Sequence, residues 1–388
     1  MVGIAKGIYG FHDSGGEHLI LSANRTGWTV HTEALGCDPN DRSSKQYSTF
    51  ENRITNVCRL NNGYGSAGTI PLPERYADFA KRCANFVAGS QGCSHWIIGN
   101  ELGLTWEWPE GQRIALDDYV RCFKMCRDAI KSVQPAAVVM PQPPAPWNVE
   151  VKYAENPSGD WIKQLSDMLN KIGLGNVDGI AIHTYSHGHD PALVTSEAKM
   201  DPPWNHRRFH FRTYIEYMEA IPAAFRNLPV FCTESNPDGW HDTNNGWIQA
   251  AYAEINRWNQ LGGQQIRSLA FYRWPNADRE QFWINSKPGV VEDFVASLAH
   301  DYQWSEVVAP ATTGDAIALD DLRLRASPGN KNKPDWDTLT TIAKGERFFV
   351  VGEGPLWDGM TWLYISMPEG ITGWVAKELQ DGTKLVQL

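Results

Sequence analysis

"HWIIGNELGL", residues 95–104, decides how this chain is to be read. The apolar run Trp96, Ile97 and Ile98 stops on Gly99, Asn100 and Glu101. A short run rich in β-branched and aromatic residues, closed by a glycine, is the pattern of a buried strand. A buried strand that ends on an amide and a carboxylic acid needs water, a partner or a chemical task there, because an ionised carboxyl alone in apolar surroundings is very costly. A parallel barrel meets that condition. Its strands are buried along their length, and their C-terminal ends open into one polar mouth.

Seven more runs of the same kind surround it. They are "GIYGFHD" (7–13), "GWTVHTEAL" (27–35), "TNVCRLNNG" (55–63), "AAVVMPQPP" (136–144), "VDGIAIHTY" (177–185), "LPVFCTES" (228–235) and "IRSLAFYRW" (266–274). Helical patterns lie between several of them. "PERYADFAKRCANFVAG" opens on Pro73 and closes on Gly89, a usual start and stop. "LDDYVRCFKMCRDAIKSV" places Tyr119, Phe123, Cys126, Ile130 and Val133 on one stripe at spacings of three and four. Residues 161–173, 212–221, 246–263 and 290–300 follow suit. Eight strands alternating with helices predict an α/β fold, a (β/α)₈ TIM barrel. The competing open, doubly wound sheet wants a glycine-rich phosphate loop after its first strand, and "GFHDSGGEHL" does not match it.

Composition narrows the function classes. A net charge of -10 over 388 residues argues against a general nucleic-acid binder, which needs a basic face. No apolar run approaches the length of a membrane span. The 17 tryptophans are many, and Trp106, Trp108, Trp147, Trp204, Trp240 and Trp274 sit beside turn residues, where flat rings can line a sugar-binding cleft. Seven cysteines form no CxxC pair; Cys83 and Cys93 flank a turn and would bridge only in an oxidising compartment. The stretch "MVGIAKGIYGFHD" lacks the charged and apolar regions of a signal peptide.

After His300 the pattern changes. "SEVVAPATTGD" (305–315) reads as a linker, and short alternating runs follow, so the expected division is 1–304, 305–315 and 316–388, the last an all-β module.

In a (β/α)₈ barrel the chemistry sits at the C-terminal strand ends. Those ends carry His12 and Asp13, Arg59 and Asn61, Asn100 and Glu101, His183 and Tyr185, Glu234, and Trp274. Glu101 and Glu234, on the fourth and seventh strands, would face each other across the mouth. Two opposed carboxyls are what glycosidic cleavage needs: one protonates the leaving oxygen, the other attacks the anomeric carbon or activates water. About 5–5.5 Å between them gives retention and about 6.5–9.5 Å inversion. Glu33, Glu107 and Glu110 are expected to be structural. "HTYSHGHD" (183–190) matches no zinc spacing, no GxSxG elbow is present, and no cofactor or metal is expected.

"IIGNEL" closing the fourth strand and "FCTES" closing the seventh resemble the acid/base and nucleophile strands of glycoside hydrolase clan A, the retaining (β/α)₈ enzymes. The resemblance runs over roughly residues 3–300. It implies Glu101 as acid/base, Glu234 as nucleophile, Asn100 on the sugar 2-hydroxyl, Tyr185 donating to the nucleophile and Trp274 as a stacking platform. His183, Arg59 and His12 are expected to contact substrate. Residues 316–388, through "LRLRASPG" and "GITGWVAKELQ", resemble a bacterial Src-homology-3-like barrel, a class that often takes cell-wall peptide or glycan. The expected function is a retaining glycoside hydrolase acting on β-linked oligo- or polysaccharide, outside the cell, with a cytoplasmic location as the alternative. The alternative is a non-catalytic carbohydrate- or cell-wall-binding protein on the same barrel.

Overall fold

The computed structural model describes residues 4–261, 263–274, 280–305, 315–326, 328–331, 333, 337–368 and 371–388. Most of the expected linker, 306–314, lies outside the described residues. By contact the chain divides into two compact units. The first holds residues 1–220, 228–255 and 266–304; the second holds 221–227, 256–265 and 305–388.

The first unit contains β1 (Tyr9–His12), β2 (Gly27–Ala34), β3 (Ile54–Asn61), β4 (Cys93–Ile98), β5 (Val138–Pro141), β6 (Ile180–His183), β7 (Val230–Ser235) and β8 (Ile266–Phe271). Each lies inside one of the eight runs read from the sequence or within two residues of it. All pair in parallel, in the order β5-β4-β3-β2-β1-β8-β7-β6. The barrel is nearly closed. Among the described residues no ladder joins β5 to β6, and Asp178 crosses that seam: its N–H donates to the Val139 carbonyl at 3.2 Å and its carboxylate accepts the Val139 N–H at 3.1 Å.

Helices α1 (Glu17–Ser22), α2 (Tyr76–Gly89), α3 (Leu116–Val133), α4 (Trp161–Ile172), α5 (Thr213–Ala220), α6 (Trp247–Gln260) and α7 (Pro288–Ser297) alternate with the strands. Local chemistry sets their ends. Asp160 caps α4 by accepting the N–H groups of Ile162 and Lys163, and Gly173 closes it at φ 86°. The α3 stripe is one turn shorter than its spacing predicts, since Val133 is 44% exposed.

Trp28, Val30, Val57, Ile97, Met140, Ala181, Phe231 and Ala270 fill the barrel interior. Gly10 makes room for this packing: a Cβ there would lie 3.0 Å from the Trp28 carbonyl oxygen. Side chains alternate along a strand, so residues two beyond these plugs also face inward and stand at the mouth. Arg59 follows Val57 in this way, and His183 follows Ala181.

The second unit carries β9 (Asp315–Ala318), β10 (Leu322–Arg325), β11 (Thr338–Ile342), β12 (Arg347–Trp357), β13 (Met360–Ser366), β14 (Thr372–Ala376) and β15 (Val386–Gln387). They form one antiparallel sheet in the order β11-β10-β14-β13-β12-β9-β15. Its core holds Leu322, Leu324, Ile342, Phe348, Val350, Leu363, Ile365 and Val375. The alternating runs after His300 are thus strands with their own apolar face.

All seven cysteines are free. The Cys83–Cys93 bridge is not formed: Cys83 packs on the Cys126 thiol of α3, while the Cys93 thiol donates to the Asn56 carbonyl at 3.4 Å. Among the described residues no helix is long and apolar enough to cross a membrane.

Candidate active site

Glu234 reaches the mouth because β7 breaks its own alternation. Phe231 faces the interior and pairs with Ala181; strict period two would turn Thr233 inward and Glu234 outward. The register shifts by one between Ile182↔Cys232 and His183↔Glu234, a bulge that puts Glu234 on the same face as His183. There Glu234 is 7% exposed. Arg59 donates from Nη1 to its Oε1 at 2.5 Å, Tyr185 Oη donates to Oε2 at 3.1 Å, and His12 Nε2 stands 3.6 Å from Oε1. Burial alone would raise this carboxyl; the charges of Arg59, His183 and His12 outweigh it and hold the group down to about 2. Glu234 is therefore a carboxylate throughout the ordinary pH range. A depressed acid contributes stability above its unfolded value, which is lost as pH falls toward 2.

Glu101 follows Gly99 (φ 75°) and itself lies in the left-handed region at φ 31°. That turn aims its carboxyl at β6, where Oε1 lies 2.7 Å from His183 Nδ1. The other ring nitrogen of His183 is 3.1 Å from Thr233 Oγ1 and 4.0 Å from Glu234 Oε1, and Tyr185 Oη is 3.2 Å from Nδ1. One imidazole thus separates the two carboxyls. His183 is 0% exposed, and protein groups take both of its ring nitrogens.

Asn100 links the two sides. Its Oδ1 accepts from Arg59 Nη1 at 2.7 Å, its Nδ2 donates to Glu107 Oε1 at 3.1 Å, and its N–H donates to Thr69 Oγ1 at 2.5 Å. Glu107, expected to be structural, is buried against this amide. Burial pushes its carboxyl up to about 7, only partly offset by the Asn100 hydrogen bond and the Arg59 charge.

His12, inward on β1, touches Thr32 Oγ1 at 3.3 Å and Arg59 Nη2 at 3.5 Å. Asp13 (φ 67°) lies 3.4 Å from His12 Nδ1 and 3.5 Å from Arg273 Nε. Burial would raise the Asp13 carboxyl, but His12, Arg273 and Arg59 together hold it below its usual range. Tyr272 packs its ring edge-on to His12 at 5.0 Å and donor contact from Arg273 Nη1 reaches its hydroxyl at 3.1 Å. Tyr272 and Arg273 were missed; only their place at the end of the eighth run hinted at them.

Trp274 donates its N–H to the His12 carbonyl at 2.8 Å, and its ring covers Gly15 and Gly16 and meets Phe11 edge-on. Asn61 is buried at the β3 end with Oδ1 free of hydrogen-bond partners. The tryptophans divide. Trp106 is 57% exposed, whereas Trp240 is buried with its Nε1 on the Tyr272 carbonyl and Trp204 packs on Trp161. In the histidine-rich loop His187 stacks on Phe209 at 3.8 Å and His189 on His241 at 3.9 Å. Among the described residues no group of three or more His, Cys, Asp or Glu side chains could hold a metal ion. Glu33 pairs with Lys45, and Glu110 is exposed at φ 51°.

Arg59, Asn100, Glu101, His183, Tyr185, Glu234 and His12, at the ends of five strands or just past them, thus form one connected polar cluster at the C-terminal mouth. It can hold one carboxyl ionised and a second on the far side of an imidazole.

No family model matches the chain, and no curated protein does. Among solved structures, a family 39 glycoside hydrolase from the gut symbiont Bacteroides cellulosilyticus WH2 is 15% identical at a TM-score of 0.52, over 94% of this chain and 71% of that one. A glucosidase from Croceicoccus marinus is 13% identical at 0.48, over 77% and 66% of the two chains. A Pseudomonas stutzeri endoglucanase in complex with cellobiose is 14% identical at 0.44, over 77% and 95%. The chain is thus similar in fold, an eight-stranded parallel barrel, to a family 39 glycoside hydrolase.

Proposed function

We propose that this protein is a retaining glycoside hydrolase that cleaves β-linked glycosides by double displacement, with Glu234 as nucleophile and Glu101 as acid/base. The observation that carries the reading is the pair of carboxyls, one just past the end of β4 and one on β7, the second kept anionic by Arg59 and the first held against the opposite edge of His183. Glu234 attacks the anomeric carbon while Glu101 protonates the leaving oxygen; Glu101 then takes a proton from the water that releases the sugar. Tyr185 steadies the nucleophile. Asn100, Arg59, His12 and Trp274 form the wall against which the sugar docks. The substrate is an oligo- or polysaccharide met outside the cell. The test is a screen of chromogenic β-glycosides and polysaccharides, with the first-formed anomer read by NMR. A β first product supports retention and an α one means inversion. Binding without hydrolysis on every substrate would favour the non-catalytic carbohydrate-binding reading.

Arg59→Met provides a second check. Without the guanidinium, the Glu234 carboxyl rises from about 2 toward its ordinary value. Because the attacking group must be ionised, the acidic limb of kcat/KM moves up by about 1–3 pH units. A limb that stays in place would mean that Glu234 is not the group whose ionisation controls the rate.

For the second unit we propose the Src-homology-3-like barrel, taking cell-wall peptide or glycan. Trp357, 41% exposed at the end of β12, is the most accessible aromatic ring described there. Full-length protein should be retained on insoluble wall material, and Trp357→Ala should weaken retention without altering turnover of small glycosides. Equal retention of both proteins would remove Trp357 from the role.

A further inference from the structure

We infer that Glu107 is a positioning residue: its carboxyl fixes which way the Asn100 side-chain amide points, and through Asn100 it orients Arg59 against Glu234. The inference rests on the catalytic reading above, and it concerns a residue that the sequence pattern assigns to a structural loop.

The oxygen and nitrogen of an asparagine amide are almost the same size, so shape alone does not choose between the two orientations; hydrogen-bond partners do. Arg59 can only donate. It meets Asn100 Oδ1 at 2.7 Å, the orientation that satisfies it. In the flipped state two donors would oppose each other at Arg59, and Asn100 Oδ1 would face Glu107 Oε1, which now accepts from Nδ2 at 3.1 Å. Both neighbours therefore select the same state. Arg59 carries that choice onward, since the same Nη1 also donates to Glu234 Oε1. Removing the acceptor at 107 takes away one of the two contacts that hold the amide, so the oxygen on which Arg59 rests is less firmly placed.

Glu107 is itself well held. It ends a short turn after β4, with its N–H on the Leu104 carbonyl at 2.9 Å and its own carbonyl accepting the Thr69 N–H at 2.8 Å. Thr69 also accepts the Asn100 N–H through Oγ1. One residue of the β3 loop thus pins both members of the Glu107–Asn100 pair. The charged groups acting on Glu107 are Arg59, Glu101 and Glu234, and burial keeps its carboxyl protonated up to about 7. Either protonation state still offers an oxygen that can accept from Nδ2.

The experiment compares Glu107→Leu, Glu107→Gln, Asn100→Ala and the Glu107→Leu/Asn100→Ala pair, in kcat, in the pH profile and in thermal unfolding. Glu107→Leu should lower kcat by between about 10- and 100-fold, the scale of a misplaced active-site group, and lift the acidic limb of the profile as Arg59 loosens its hold on Glu234. Glu107→Gln, whose amide oxygen still accepts from Asn100, should recover most of that loss. In the Asn100→Ala background Glu107→Leu should add little, because the link it acts through is gone. Should Glu107→Leu fail to fold, Asn100→Asp serves instead. It turns an acceptor toward Glu107 and should lose more activity above pH 7 than below, and Asn100→Asp/Glu107→Gln should restore it. Equal losses in Glu107→Leu and Glu107→Gln, additive losses in the pair, or an Asn100→Asp defect that Glu107→Gln leaves untouched would each overturn the inference. Unfolding separates this failure from that of the catalytic reading. If the wild-type protein hydrolyses nothing, non-additive unfolding temperatures still support the Glu107–Asn100 link, and additive ones refute it.

Discussion

Glu234→Gly is expected to lower kcat on unactivated β-glycosides by on the order of 10⁴-fold or more, the scale seen when a nucleophile is deleted from a site that keeps its other groups. The carboxylate is held ionised by Arg59 and aligned by Tyr185, and no other acidic side chain occupies its place on β7. Deleting it opens a small gap at the same spot. Azide entering there should attack the anomeric carbon while Glu101 still protonates the leaving oxygen, giving the glycosyl azide of inverted configuration. The variant also leaves the buried Arg59 charge with Asn100 as its main partner, so the unfolding temperature should fall as well. Product analysis by NMR with and without azide decides the matter. Wild-type turnover in this variant would exclude Glu234 as the nucleophile.

Glu101→Ala tests the other half. General acid–base groups contribute about 10²- to 10⁴-fold, so hydrolysis of substrates with poor leaving groups should fall by that much. Aryl glycosides whose leaving group needs no proton should form the covalent intermediate at nearly the normal rate and then stall, because no base activates water. Burst kinetics would show this directly. Azide needs no base, so it should release the sugar as the azide of retained configuration. An equal loss on activated and unactivated substrates would instead mean that Glu101 serves only to place His183, with which it shares a 2.7 Å contact.

Much of the architecture was legible. Strands such as Cys93–Ile98 and Ile180–His183 are short apolar runs closed by polar residues, and helices such as Leu116–Val133 announce themselves by spacing. These are local properties, set by period and by breakers within a few residues. The gathering of strand-end residues into one mouth followed once a parallel barrel was assumed, because the fold itself brings those ends together.

Other features were not local. His183 and Tyr185 both stand at the end of β6, yet the first is sealed between two carboxyls and the second donates to only one of them; which is which depends on packing from β4 and β7. Glu107 read as a structural loop acid, and nothing near it in sequence shows that its carbonyl takes the N–H of Thr69 from a different loop or that its carboxyl meets Asn100. The Cys83 thiol found Cys126 across a helix pair instead of Cys93 across a turn.

By itself, then, the sequence determined the succession of elements, the fold class they imply and the strand ends at which acids stand. Only the tertiary structure decided which way those acids face. A one-residue shift of register in β7 turns Glu234 from the helix layer into the mouth, and a left-handed turn at Glu101 aims its carboxyl at His183. Both depend on hydrogen bonds between strands far apart in the chain, and a pattern read along one strand carries no record of its neighbour's register.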